Sequence, residues 1–442
     1  MELRDLAVTP LIIILVLMVA YFIRPYATDE NTRRYFFPAL SLKIFGAIAL
    51  GLVYQFYYGY GDTLNFHVHG SRHVWETFSD SFSAGIKLLF GDAHGAGMYK
   101  YYSKVILMQD PSSFAVIRIA SIFDLITFSS YTATAVLFAV LSFAGGWMFF
   151  LTFYEQYPHL HRPFALAMFA IPSIIFWGSG LLKDTVTLAC IGGAVFFSYQ
   201  LFIKLRFSIL SFLLLLICLD GLYVIKIYML FTLLPALIIW IFLMHFSKIK
   251  STAARVMSFP VLFAIALILS YTAVEKALED NAKYSLNNIA STAQITAYDI
   301  RYWTGKDAGS GYSLGDLDGT FGTMLRLAPQ AINVSLFRPY LWEVKNPLML
   351  LSALEGLFFF MVTFYIVVKR GGIALSAFKD PNVVLCFVFA LSFAFAIGVS
   401  TFNYGTLARY KIPLLPFYAV GLVLMMNYEN NDRKFEEFEE TE

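Results

Sequence analysis

Hydrophobic residues fall into long blocks along this chain, separated by short polar or charged stretches. A helix that crosses a bilayer needs about 20 mostly apolar residues, and by that measure the pattern predicts about eleven spans. They are Leu6–Ile23, Phe37–Tyr58, Ser130–Phe153, Phe164–Leu182, Thr185–Ile203, Ser208–Leu219, Ile227–Phe246, Val256–Val274, Pro347–Val368, Val383–Thr401 and Ile412–Met426. The sixth is short, so it tilts or merges with its neighbour. Ala115–Ser129 is apolar but contains Arg118 and Asp124, and reads as an amphipathic helix lying on the membrane. The expected architecture is an all-α polytopic membrane protein. One transmembrane domain covers 1–428, and the acidic tail 429–442 is solvated or disordered. Leu6–Ile23 is long enough to span and is not followed by a small-residue cleavage site, so it reads as a retained first helix.

Lysine and arginine in the short connections set the orientation. One alternating set holds Arg24, Arg33 and Arg34; Arg162; Lys204 and Arg206; Lys248, Lys250 and Arg255; and Lys369 and Arg370. That set is expected in the cytoplasm together with the C-terminal tail, which puts the N-terminus outside. Two long intervals, 59–129 and 275–346, then fall outside the cytoplasm. They are too long for plain connectors, should contain short amphipathic helices, and belong to a length class that usually carries function.

Composition agrees with lipid as the solvent. Hydrophobic residues make up 59% of the chain and charged residues 14%, against about 25% charged in ordinary soluble domains. The mean hydropathy is +0.67. A net charge of +2 excludes a nucleic-acid footprint. Cys190, Cys218 and Cys386 each lie in an apolar run with no metal-ligand spacing between them, which argues against a disulfide framework or a zinc site.

The polar residues that break this pattern gather in five stretches. "YGDTLNFHVHG" opens the first long interval with Asp62, Asn65, His67 and His69. "FWGSGLLKDTVT" carries Lys183 and Asp184, and "LDGLYVIKIY" carries Asp220 and Lys226. "SLFRPYLWEVKNP" carries Arg338, Trp342 and Glu343, and "FNYGTLARYKIP" carries Asn403, Arg409 and Lys411. In the expected topology all five lie at the outer ends of their helices. Lys183, Lys226, Arg338, Arg409 and Lys411 run against a positive-inside bias. Ionisable groups near membrane depth usually line a polar cavity or pair with something. Arginine grips phosphate with a two-pronged hydrogen bond and lysine adds a point charge, so the set suits an anion such as a lipid-linked phosphate.

Each stretch also has a plainer reading. Asp62 could cap the helix that follows it. Lys183 and Asp184 could be an ordinary ion pair at a helix end. Arg338 with Trp342 could be an interfacial anchor, and Arg409 with Lys411 could snorkel. His69 and His73, four apart, could hold a metal on one helix face, although substrate hydrogen bonding or plain interface placement is preferred. "DLDG" at Asp316–Gly319 reads as a turn, and "NVS" at Asn333 is a glycosylation sequon by pattern alone.

Asp62 in "GYGDTLNFH", together with "FWGSGLLKD", "LFRPYLWE" and "NYGTLARYKIPLLPF", resembles segments of the GT-C class of polyisoprenyl-phosphate-dependent membrane glycosyltransferases, with O-antigen-polymerase-like proteins as a second resemblance. Members commonly place a catalytic aspartate in the first extracytoplasmic loop; here Asp62 follows the second span, and no second acid adjoins it. The resemblance implies a multi-pass protein of the bacterial cytoplasmic membrane that moves a sugar from a polyisoprenyl phosphate to a glycan, lipid or protein acceptor. Asp62 would be the base. Arg338, Arg409, Lys411 and Lys183 would hold the donor phosphate. Asn65, His67, His69, Lys226, Trp342, Glu343 and Asn403 would contact substrate, and Tyr60, Trp303 and Trp342 would stack on sugar rings or hold the lipid near the interface. No resident metal site is assigned, and a requirement for a divalent cation stays open. A transporter or flippase of an anionic lipid or solute, a lipid-linked oligosaccharide polymerase and a membrane scaffold are the alternatives.

Overall fold

The computed structural model describes residues 2–246, 268, 271–272, 288–304 and 310–428, without the side chains of 303–304. The expected span Val256–Val274, apart from residues 268, 271 and 272, the tail 429–442 and the Trp303 side chain therefore lie outside the described residues. Helices make up the architecture, and no strand occurs among the described residues beyond an isolated bridge between Gly311 and Asn403. Seven helices are long and apolar enough to cross a membrane, or eight if one bent pair counts as a span. The chain is an all-α polytopic membrane protein. Its described residues form two compact units: those up to Phe197 together with Phe207–Ile227, and Ser198–Arg206 together with those from Tyr228 onward.

The first unit is built on α1 (Leu3–Ala27), α2 (Arg33–Tyr58), a run of short helices, α8 (Tyr131–Tyr154) and the part of α11 (Lys183–Ile203) that ends at Phe197. The short ones are α3 (Asp62–Phe66), α4 (Arg72–Asp80), α5 (Phe82–Phe90), α6 (Tyr99–Tyr102) and α7 (Pro111–Thr127), then α9 (His161–Phe169) and α10 (Pro172–Phe176). Most of α1 is outward-facing, with Leu6, Leu11, Ile14, Leu15 and Phe22 exposed, an arrangement that lipid tolerates and water does not. α2 and α8 pack through an aromatic nest in which Phe36 lies 5.0 Å from Trp147 and 5.1 Å from Phe143 between ring centroids. α8 and α11 meet through small residues: a Cβ on Gly192 would lie 2.0 Å from the Gly145 carbonyl oxygen. Close approach of that kind is how helices associate where lipid removes the hydrophobic drive.

The expected span Phe164–Leu182 is broken instead into α9, α10 and a run of turns. Pro172 disfavours a helical residue before it and cannot donate to the preceding turn. Further along the same segment, backbone carbonyls find a donor in Lys43, a buried lysine of α2. Its Nζ lies 3.0 Å from each of Ile174 O, Gly178 O and Ser142 Oγ. Two other expected spans, Ser208–Leu219 and Ile227–Phe246, join into α12 (Ile209–Phe246), interrupted only at Lys226, whose φ of −148° and ψ of 77° are not helical. The amphipathic segment with Arg118 is α7. Asp110 caps its N-terminus, one face buries Phe114, Ile117 and Asp124, and Arg118 donates to the Leu88 and Gly91 carbonyls at the end of α5.

The second unit contains the later part of α12, then α13 (Ile289–Thr304), α14 (Phe321–Arg326), α15 (Ala328–Phe337), α16 (Pro347–Lys379), α17 (Pro381–Thr401), and the pair α18 (Tyr404–Tyr410) and α19 (Leu414–Asn427), bent by 66°. α17 is its core. Phe389 stacks on Phe393 and lies 4.3 Å from Phe417 between centroids. Within the second long interval, α15 is a packed element and not a surface strap: Ala331, Val334 and Leu336 are buried, and Ser335 Oγ donates to Ala394 O of α17 at 2.7 Å.

Candidate functional site

In the first unit, α2 ends in a π turn, Tyr54–Tyr58. The chain reverses through Gly61, whose φ is 135° and where a Cβ would lie 2.4 Å from the Tyr54 ring. Only glycine fits there. Asp62 therefore opens α3 as an exposed residue of its first turn, where the helix N-terminus favours a carboxylate, while Gly61 occupies the capping position. A second π turn, His67–Ser71, follows at once. Such turns recur at functional sites, and no periodicity in the sequence announces them.

The neighbours of Asp62 diverge. Asn65 is half-buried and His69 is exposed. His67 is fully buried, with Nε2 3.5 Å from Asp124 Oδ1 and its ring edge-on to Tyr131 at 5.5 Å. The Tyr131 hydroxyl is 2.8 Å from Thr63 Oγ1, which ties α3 to α8. His73 Nδ1 lies 3.1 Å from Glu76. Among the described residues no group of three or more His, Cys, Asp or Glu side chains is arranged to hold a metal ion.

Lys183 and Asp184 begin α11, but they do not pair with each other. Adjacent residues on a helix point about 100° apart. Lys183 Nζ donates to Asp110 Oδ2 at 2.9 Å and to Ser112 Oγ at 2.6 Å. Burial pushes the Asp110 carboxyl up, but hydrogen bonds from Ser113, Lys183 and Ser112 outweigh it and hold the group well below the usual carboxylate range. Asp184 is buried and takes its hydrogen bond from Lys226, at the break in α12.

In the second unit, Arg338 follows α15 and forms a two-pronged pair with Glu343. Nε donates to Oε2 at 3.0 Å, and Nη2 donates to Oε1. Glu343 also accepts from the Tyr340 amide at 2.8 Å and the Tyr404 hydroxyl at 2.8 Å. The guanidinium carbon lies 6.0, 5.8 and 5.5 Å from the ring centroids of Tyr312, Tyr340 and Tyr404. Burial pushes the Glu343 carboxyl up, and the hydrogen bonds from Arg338, Tyr340 and Tyr404 bring it below its ordinary value. The bond to Glu343 raises Arg338 further. Beside this cluster Trp342, 81% exposed, stacks on Tyr340 at 4.8 Å between centroids.

Asn403 caps α18 by accepting from the Thr406 amide at 3.0 Å, and its Nδ2 donates to Ser310 Oγ at 2.9 Å. Arg409, on the same short helix, is half-buried. Lys411 does not snorkel. It is 1% exposed and lies 3.3 Å from Glu355, itself buried in α16, too poorly aligned for a hydrogen bond. Asn333 of the sequon is half-buried and bonded to the Tyr340 hydroxyl at 2.9 Å.

The twelve residues selected from sequence thus sort by unit. Asp62, Asn65, His67, His69, Lys183 and Lys226 are in the first, and Arg338, Trp342, Glu343, Asn403, Arg409 and Lys411 in the second. Sequence reasoning passed over the partners Asp110, Glu355, Tyr312, Tyr340 and Tyr404. The chain matches no protein-family model, and neither the curated proteins nor the solved structures contain a match to it.

Proposed function

We propose that this chain is a multi-pass glycosyltransferase of the bacterial cytoplasmic membrane that moves a sugar from a polyisoprenyl-phosphate donor to an acceptor hydroxyl outside the cytoplasm. The observation that carries the reading is the Arg338–Glu343 pair with its tyrosine walls. Glu343 occupies Nε and one Nη2 hydrogen, which orients the guanidinium and leaves Nη1 for a phosphate oxygen. Aromatic faces beside a charged pair suit a sugar ring, which presents C–H groups to the ring and hydroxyls to the charges. An all-helical membrane body supports a lipid-linked donor.

In this reaction the acceptor oxygen attacks the anomeric carbon as its proton passes to a carboxylate, and the bond from that carbon to the phosphate oxygen breaks. The polyisoprenyl phosphate leaves as an anion, so it needs charge stabilisation and no strong acid. Arg338 supplies that stabilisation. The test is transfer of labelled sugar from a panel of polyisoprenyl-phosphate sugars in membranes containing Arg338→Ala or, as the sequence resemblance expects of the base, Asp62→Asn, with insertion verified. Each should lose about 100-fold or more. Wild-type transfer by both variants removes the reading.

A second reading, a carrier of an anionic lipid or solute, is favoured by the ion pair sealed at the break in α12, because carriers build their sites at interrupted helices. Open membrane fragments separate the two: an enzyme transfers sugar in them, whereas a carrier leaves the donor unchanged. A lipid-linked oligosaccharide polymerase would instead prefer donors carrying several sugars.

A further inference from the structure

The first unit has a second feature, away from the Asp62 stretch. A groove of about 410 Å³ runs between α2 and α9. Ala39, Ala165 and Phe169 line its buried side, and Leu42 and Leu166 stand exposed along it. Arg34 and Arg162 also line it, each in the first turn of its helix. They share one end of the groove, because both act on His161: Arg34 Nη2 is 3.1 Å from His161 Nδ1, and burial followed by the charges of Arg34 and Arg162 lowers the His161 pKa. Arg33 is exposed at the same turn. Among the described residues no carboxylate pairs with Arg34 or Arg162, and the acid that acts on His161, Asp29, is bonded to Thr32 and Tyr154.

From Arg34 to Leu42 the groove follows two turns of α2, about 12 Å. An apolar channel with exposed leucines along it and uncompensated arginines at one end matches an acyl chain bearing an anionic head. Basic pockets between membrane helices bind anionic headgroups by this charge complementarity. We propose that the groove binds an anionic glycerophospholipid, with one acyl chain between α2 and α9 and its phosphate on Arg34 and Arg162. The lipid would brace the proline-broken segment α9–α10, which has no continuous helix of its own to hold it in place.

The test uses the full chain purified in mild detergent, with native mass spectrometry reading retained lipid after addition of phosphatidylglycerol or phosphatidylcholine. Phosphatidylglycerol should be retained at least tenfold better. Two variants should each abolish that preference: Arg34→Ala with Arg162→Ala, which removes the anion partners, and Leu166→Trp, which obstructs the channel. The substituted residues are exposed, so a thermal melt within a few degrees of wild type checks that both proteins fold. Equal retention of the two lipids, or wild-type preference in both variants, overturns the proposal. So does full competition by soluble glycerol phosphate, which would mark a free-anion site that needs no chain. None of these results depends on glycosyl transfer.

Discussion

Two ion pairs in this protein are built from the same kinds of group and sit in opposite surroundings. Asp184 and Lys226 are sealed, with side chains 0% and 7% exposed. Arg338 and Glu343 are 21% and 20% exposed and are flanked by tyrosines and an exposed tryptophan. A sealed pair can only be matched internally, so its value lies in what it holds together, here the start of α11 and the break in α12. An open pair has edges that a ligand can reach. Lys411 and Glu355, at 1% and 3%, fall in the sealed class although they lie in the same unit as the open pair. Exposure is therefore the property that separates support from chemistry, and it is invisible in the residue types.

The largest effect should come from unbalancing the sealed pair. Lys226→Met takes its cation away from the buried Asp184–Lys226 pair, which costs about 3–5 kcal/mol when one partner of a buried pair is removed. Unfolding of the purified protein in a denaturing detergent titration should shift accordingly. The double variant Asp184→Leu with Lys226→Met should recover most of the loss, because two apolar residues of similar size replace such a pair at little cost. A double variant as unstable as the single would show that the charges do more than neutralise each other.

Next in size is the open pair, where the loss should fall on activity. Glu343→Gln keeps the shape and removes the charge that orients the Arg338 fork. Sugar transfer should drop by about 10- to 100-fold, with thermal stability nearly unchanged. Tyr404→Phe removes one of the hydrogen bonds to Glu343 and should cost less. If Glu343→Gln unfolds the protein while transfer per folded molecule is normal, the open pair belongs with the sealed ones.

This contrast explains what could be read in the sequence. Spans were legible as apolar runs, and the two halves of α12 were too, because length and hydropathy are local quantities. Breaks were less so. Phe164–Leu182 has the composition of a span, and only Lys43, distant in sequence, shows how its broken backbone is satisfied. Charged residues were legible one at a time, whereas their partners were not. Lys183 and Asp184 sit side by side in the chain, yet helix geometry turns them to Asp110 and Lys226, 73 and 42 positions away. Tyr312, Tyr340 and Tyr404 are three tyrosines among 27, and nothing in their local pattern sets them apart. His67 was chosen with its exposed neighbour His69, and because residues two apart on a helical turn face opposite ways, the first lies inside and the second outside.

The smallest effect is the pH dependence of the open pair. Glu343 has its folded pKa below its ordinary value of 4.5. A carboxyl of this kind adds stability that is fully present above the unfolded pKa and is lost as pH falls through the folded one. Stability should therefore be flat from neutral pH down to the ordinary carboxylate range and decline below it. Glu343→Gln should remove its share of that acid limb, an effect reduced by partial exposure and by salt. Melting curves from pH 7 to pH 3, for wild type and Glu343→Gln, measure the difference directly. If the two acid limbs superimpose, Arg338 does not hold Glu343 ionised in solution, and the open pair loses the oriented guanidinium on which its anion-binding role depends.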